Sequence, residues 1–298
     1  MPYLPRMTSR REFLLALGAT ACTSAIAASA FAAPAATPGP RLHERLRAPL
    51  SGVGVQLYML RAAMRSDPEG TIRRIAELGY REIEWWGNWG RTPTQLRALL
   101  DQHGLTSPSA HIDPKELAPD RLPALLDAAA TMGHRSVLVA WTAPEQRKTP
   151  DDWMRLGALL SEAGRTAARM GIRTGYHNHD FEFARLGDRT ALEILMAESD
   201  PGVVDIELDC FWAFKAGRDP LELLRQHRDR ITMLHLKDSS GAPEHAQRDI
   251  GAGVIAWRPL LEVAIAGRVT NVFVERDDPQ DAWASARAGR DYLRTLGY

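Results

Sequence analysis

The segment Tyr176-His177-Asn178-His179-Asp180-Phe181-Glu182-Phe183 sets two imidazoles two residues apart and follows them with carboxylates. On an extended chain, alternation sends His177 and His179 to the same side. Further on, Asp209, His235 and Glu275 each fall near the end of a short apolar run, and Lys237 stands two residues after His235. Imidazoles and carboxylates gathered in one place bind cations. This mixture suits Mn²⁺, Zn²⁺, Co²⁺ or Fe²⁺, and suits Mg²⁺ less, because Mg²⁺ prefers all-oxygen shells. His177, Asp209, His235 and Glu275 are the candidate metal ligands for one divalent ion, with His179 open as an alternative to His177. Glu275 is also the candidate base, with His179 and Lys237 as acid or oxyanion partner. Any one of these residues alone is more often a satisfied core histidine, a salt-bridged lysine or a helix cap. Four in register carry the argument, because apolar strands rarely hold ionisable groups that are neither paired nor metal-bound.

The elements that must position them repeat in one order. Apolar runs at 52–60, 80–86, 107–112, 136–141, 173–179, 203–210, 231–237 and 271–276 read as strands. Helix-like segments at 68–78, 93–103, 120–132, 151–170, 190–198, 219–227, 255–266 and 281–296 follow them. Eight strand-then-helix units predict a parallel sheet closed into a (β/α)₈ barrel. An open doubly wound sheet would carry a Gly-rich turn after its first strand, and Leu60-Arg61-Ala62-Ala63 has no glycine. In a barrel, the C-terminal strand ends converge on one mouth. That adds Glu84, His111, Glu182 and Trp212 as candidate substrate-binding residues, the tryptophan as a face on which a sugar ring could stack.

Composition bounds the function. Lys plus Arg and Asp plus Glu both number 37, so there is no basic field for nucleic acid. Ser9-Arg10-Arg11-Glu12-Phe13-Leu14, an apolar stretch to about Ala30 and the small residues Ala30 and Ala32 read as a twin-arginine signal peptide over 1–32. Residues 33–50 then read as a linker and 51–298 as the barrel domain. The expected location is periplasmic, with no stable membrane insertion after cleavage. Cys22 would leave with the leader, so Cys210 would have no disulfide partner.

The stretches YHNHDFEF, ELDCFWAFKAGRDP, LHLKD and GAGVIAW followed by VERD are similar to the sugar phosphate isomerase/epimerase group of the xylose isomerase-like TIM-barrel superfamily. The resemblance runs from about Gly52 to Tyr298. It implies one divalent metal held from the later strands, a small carbohydrate substrate, an enediolate-like intermediate and, in many members, homo-oligomers. Asp209, His235 and Glu275 match the usual Asp, His and Glu ligands, while His177 stands where epimerases commonly carry Glu. Those epimerases use two facing glutamates, and here only Glu275 is in place unless Glu182 folds back. The expected activity is isomerisation or epimerisation of a non-phosphorylated sugar or keto-sugar. Elimination from a 3-keto-glycoside, a dehydration, and a non-catalytic sugar-binding barrel are the alternatives. The DNA-repair endonuclease branch is disfavoured by the balanced charge.

Overall fold

The computed structural model describes residues 52–298; the expected signal peptide and linker lie outside the described residues. Eight parallel strands close into a barrel: β1 Val53–Gln56, β2 Glu82–Trp85, β3 Thr106–Ile112, β4 Ser136–Val139, β5 Arg173–His177, β6 Val204–Asp209, β7 Ile231–Leu236 and β8 Asn271–Val274. Closure is made by β1 against β8, with Val55 beside Val274. Helices between the strands form the outer layer, and their inward faces join the outward faces of the strands in one apolar core. The helix starts are set by local capping chemistry. Thr92, Thr149 and Thr190 each close a capping box, with Gln95, Asp152 and Glu193 respectively.

The barrel interior is divided along its axis. Its floor is a separate apolar plug of Leu138, Met233 and Phe273. Two glycines make room for it. A Cβ on Gly54 would lie 2.4 Å from Phe273, and one on Gly175 would lie 2.9 Å from Leu138. Above this plug the interior becomes polar. Irregular register in the β2–β3 pairing between Glu82 and Glu84, and in the β6–β7 pairing between Ile206 and Glu207, falls beside two buried interior carboxylates.

Several strands end earlier than the apolar runs suggested. The first stops at Gln56, whose side chain accepts from the Tyr58 amide and starts a 3₁₀ turn. The fifth stops at His177, so His179 belongs to the following loop. The sixth stops at Asp209, which accepts from the Trp212 amide and caps a short unanticipated helix, Cys210–Lys215. Lys237 and Glu275 each lie one residue past their strands. In each case a side chain or loop at the mouth takes over the backbone where apolar character alone would have continued the strand.

Candidate metal centre and cavity

Two polar layers stand above the plug. In the lower one, Glu84 of β2 accepts from Gln56 Nε2 at 2.7 Å and Ser109 Oγ at 2.7 Å, and lies 2.5 Å from His235 Nε2. Glu207 of β6 lies 2.8 Å from His111 Nε2, 3.0 Å from His177 Nδ1 and 3.1 Å from His235 Nε2. Burial opposes the charge on Glu84, but His111 and His235 overcome it and hold the carboxyl well below its ordinary range. For Glu207, burial and the neighbouring Glu84 also lose, to His235 and to hydrogen bonds from His111 and His177. The same carboxylates outweigh burial at His111, pushed up to about 9, and at His235, raised well above its usual value. His177 moves the other way, lowered by burial and then by the charge on His235. A neutral His177 donating Nδ1–H to Glu207 keeps a lone pair on Nε2.

In the upper layer, Asp209 spends Oδ1 on the Trp212 amide at 2.9 Å. Its buried Oδ2 receives no hydrogen bond. That oxygen lies 3.0 Å from Lys237 Nζ and 3.9 Å from both His177 Nε2 and His235 Nδ1. Glu275 Oε2 stands 2.8 Å from His235 Nδ1 and 2.8 Å from Lys237 Nζ. Burial opposes the Lys237 charge, yet Asp209, Glu275 and Asp277 raise its pKa well above the usual value. Lys237 and His235 in turn overcome burial at Glu275 and hold it well below the usual carboxylate range. Asp209 is pushed up to about 6, because there burial outweighs the attraction of Lys237 and His235.

Two groups have ligand atoms within 4.8 Å of one another: His111, His177, Glu207 and His235, and Asp209, His235 and Glu275. The hydrogen bonds decide between them. Atoms of the lower group are engaged with one another at 2.8–3.1 Å. In the upper group His235 Nδ1 and Glu275 Oε2 also stand 2.8 Å apart, but Asp209 Oδ2 accepts no hydrogen bond and lies 3.9 Å from both His235 Nδ1 and the lower group's His177 Nε2. Donors roughly 3–4 Å apart are what a cation with ~2.1 Å bonds requires. Asp209, His235 Nδ1 and Glu275 therefore fit a divalent cation, and His177 Nε2, 3.9 Å from Asp209 Oδ2, stands beside them. Glu207 and Glu84 take the opposite ring nitrogens and so fix which nitrogen is offered.

A cavity of about 990 Å³ opens above these residues. His111, His177, His179, Lys237, Glu275 and Asp277 line its polar end, whereas Asp209 and His235 are fully buried beneath it. Of the four residues expected to bind substrate, His111 lines the cavity. Glu84 does not; it is fully buried and supports His235 instead. Glu182 does not fold back into the site. Its carboxylate takes the Tyr176 hydroxyl at 2.7 Å and the His179 amide at 2.8 Å, and burial pushes it up to about 8. Trp212 is not a cavity wall; its ring is tilted against His179 at 5.3 Å. His179 lines the cavity with its ring stacked on Phe181 and is lowered to about 3 by burial and by Lys237, so it is neutral at ordinary pH.

Sequence reasoning missed Glu207 and Asp277. Glu207 was legible, since it shares a strand face with Asp209 two residues later. Asp277, 2.7 Å from Lys237, sits in the loop after β8, where spacing says nothing about direction. The glycine loop after β7 also has a definite task. The amides of Gly251, Gly253 and Ile255 and the Trp257 indole all donate to the buried carboxylate of Asp238.

Comparison with known proteins agrees with this architecture. Inosose dehydratase of Geobacillus kaustophilus is 32% identical over 190 residues, covering 56% of this chain. The chain spans 60% of the length of that relative. Among solved structures, a sugar phosphate isomerase/epimerase of Parabacteroides distasonis superposes with a TM-score of 0.70 at 22% identity, covering 81% of this chain and 93% of that one. The IolI protein, solved with a bound zinc atom, superposes with a TM-score of 0.62 at 14% identity, covering 82% and 97%. The xylose isomerase-like TIM barrel pattern matches residues 72–296, and the chain belongs to that family.

Proposed function

We propose that this chain is a divalent-metal-dependent carbon–oxygen lyase acting on a non-phosphorylated keto-sugar or keto-polyol. The observation that carries the reading is the asymmetry of the carboxylates. Glu275 is ionised and lines the cavity beside Lys237, while Glu182, the candidate for a second facing glutamate, is committed to Tyr176 and His179. One base suits elimination better than a two-base inversion. The dehydratase named among the relatives points the same way.

A cation on His177, Asp209, His235 and Glu275 would supply Lewis-acid polarisation of substrate oxygens. Glu275 would remove the proton next to the carbonyl. The C–H electron pair then forms the C=C bond as the neighbouring C–O bond breaks, and the proton on Glu275 passes to the departing oxygen. Lys237, kept charged by its carboxylates, would hydrogen-bond the oxygen on which negative charge grows. Neutral His179 would hold a hydroxyl. Two features support a substrate without phosphate: the glycine-loop amides are committed to Asp238, and the leader reads as an export signal.

The test is to supply metal-loaded protein with an inosose in deuterated water. Loss of water with formation of an enone, abolished by Glu275→Gln, is the expected result. Deuterium incorporation with inversion and no loss of water would favour the epimerase reading, in which His179 returns the proton. Binding with neither outcome would mean a sugar-binding barrel without turnover.

A further inference from the structure

Asp277 belongs to neither ligand group, yet separate parts of the chain hold it in place. It follows Glu275 by two residues in the loop after β8, and its side chain lines the cavity at 22% exposure. Gln247 grips it twice. The Gln247 side-chain nitrogen donates to Asp277 Oδ2, and the Asp277 backbone amide donates to Gln247 Oε1 at 2.8 Å. Arg61, at the start of the short helix Arg61–Ser66, donates to the Asp277 carbonyl at 2.7 Å and to the Tyr58 carbonyl at 3.0 Å. The clamp is anchored next to Lys237. Gln247–Arg248 pairs antiparallel with Asp238–Ser239, the two residues that follow the lysine. Arg276 Nη1 ties the loop after β8 to the same region through Asp249 at 3.0 Å. With Oδ2 committed to Gln247, Asp277 presents Oδ1, and Lys237 Nζ donates to it at 2.7 Å.

The consequence lies in what Lys237 would otherwise do. Its ammonium, 1% exposed, also stands 3.0 Å from Asp209 Oδ2 and 2.8 Å from Glu275 Oε2. Both carboxylates belong to the group that fits the cation. A dication and an ammonium on the same two carboxylates repel each other at short range and compete for the same charge. Displacing a buried lysine with no counter-charge to receive it is costly as well. A third carboxylate outside the ligand group resolves the conflict. The hydrogen bonds already favour it: Lys237 donates to Asp277, while Asp209 Oδ2 accepts none. We propose that Asp277 is a positioning residue that holds the Lys237 ammonium at the cavity wall and so leaves Asp209 and Glu275 to the cation. Ammonium and cation can then face one substrate together instead of excluding each other. Gln247 keeps Asp277 in that role by engaging Oδ2 and fixing the backbone. The inference rests on the cation site assigned above and is independent of which carbohydrate is bound.

Calorimetric titration of Mn²⁺ into the intact, chelator-treated protein tests this without substrate. Asp277→Asn, nearly isosteric, should weaken Mn²⁺ binding about 10–100-fold at unchanged stoichiometry, because Lys237 falls back on Asp209 and Glu275. The same replacement in a Lys237→Met background should change affinity by no more than about twofold, because no ammonium is left to hold. Gln247→Ala removes no charge and, half-buried on a two-residue strand, carries little folding risk. It should weaken binding in the same direction but less, since Asp277 is loosened and not removed. Thermal melts establish that each variant folds. If Lys237→Met does not, Gln247→Ala still separates positioning from a direct pull of Asp277 on the cation, which that variant would leave intact. Unaltered affinity in Asp277→Asn, an undiminished loss in the Lys237→Met background, or wild-type affinity in Gln247→Ala would overturn the inference and leave the metal site standing. No Mn²⁺ bound by the wild type would overturn the metal site and the inference together.

Discussion

The floor and the mouth of the barrel are built from the same eight strands on opposite terms. At the floor, Leu138, Met233 and Phe273 fill the interior against Gly54 and Gly175, and no charge is present among them. One layer higher, Glu84, Glu207 and His235 are just as buried but ionised, and each is tolerated only because the others face it. The floor contributes stability through packing. The mouth gives stability up, because desolvating so many charges costs several kcal/mol per ion before pairing offsets it. Such an arrangement is expected where a protein needs a preorganised site more than a strong core.

The contrast can be broken at several points. Asp209→Ala removes the unbonded oxygen at the centre of the upper layer. Metal affinity should fall by well over a hundredfold, read by competition with a chelator, while the metal-free fold loses the helix cap, worth about 1 kcal/mol, and one of the carboxylates paired with Lys237, which keeps Glu275 and Asp277. Phe273→Ala in the floor should do the reverse. It should cost about 3–5 kcal/mol in denaturant unfolding, with a much smaller change in metal affinity. Glu207→Gln sharpens the division within the mouth. Because Glu207 orients His177 without touching the proposed metal, affinity should drop about 10–100-fold and the stoichiometry should stay unchanged at saturation. A change in stoichiometry would instead place the cation in the lower group.

The smallest expected effect concerns pH. Burial lowers His134 to about 4, a shift larger than the gain from its bond to the Ser107 carbonyl. A histidine depressed in the folded state is protonated first in the unfolded state, so stability falls as pH drops below about 6.5. Between pH 7 and 5.5 this one residue should cost about 1 kcal/mol, and His134→Gln should flatten that part of the stability curve. An unchanged slope would show that the imidazole is free to charge in place.

Much of this division was legible before the fold was seen. The eight strand–helix units follow from apolar periodicity, a property of a few consecutive residues. Asp209, His235 and Glu275 were legible because strand ends converge in a barrel. The failures came where direction depends on partners far along the chain. Glu84 looks like a group for a hydroxyl until Gln56, Ser109 and His235 are placed around it. Glu182 looks like a second base until the loop after β5 turns it onto Tyr176. Glu207 was readable from its spacing to Asp209, but nothing local says that it would meet three histidines from three other strands.

The central claim is that His177, with Nδ1 held by Glu207, offers Nε2 to a cation, while His179, stacked on Phe181, does not. Elemental analysis of the purified mature protein beside its His177→Ala and His179→Ala variants, each dialysed after exposure to Mn²⁺, Co²⁺ or Zn²⁺, addresses it directly. The geometry predicts about one metal per chain in the wild type, retained in His179→Ala and lost in His177→Ala. Metal retained in His177→Ala, or no metal in any of the three, would contradict the site as assigned.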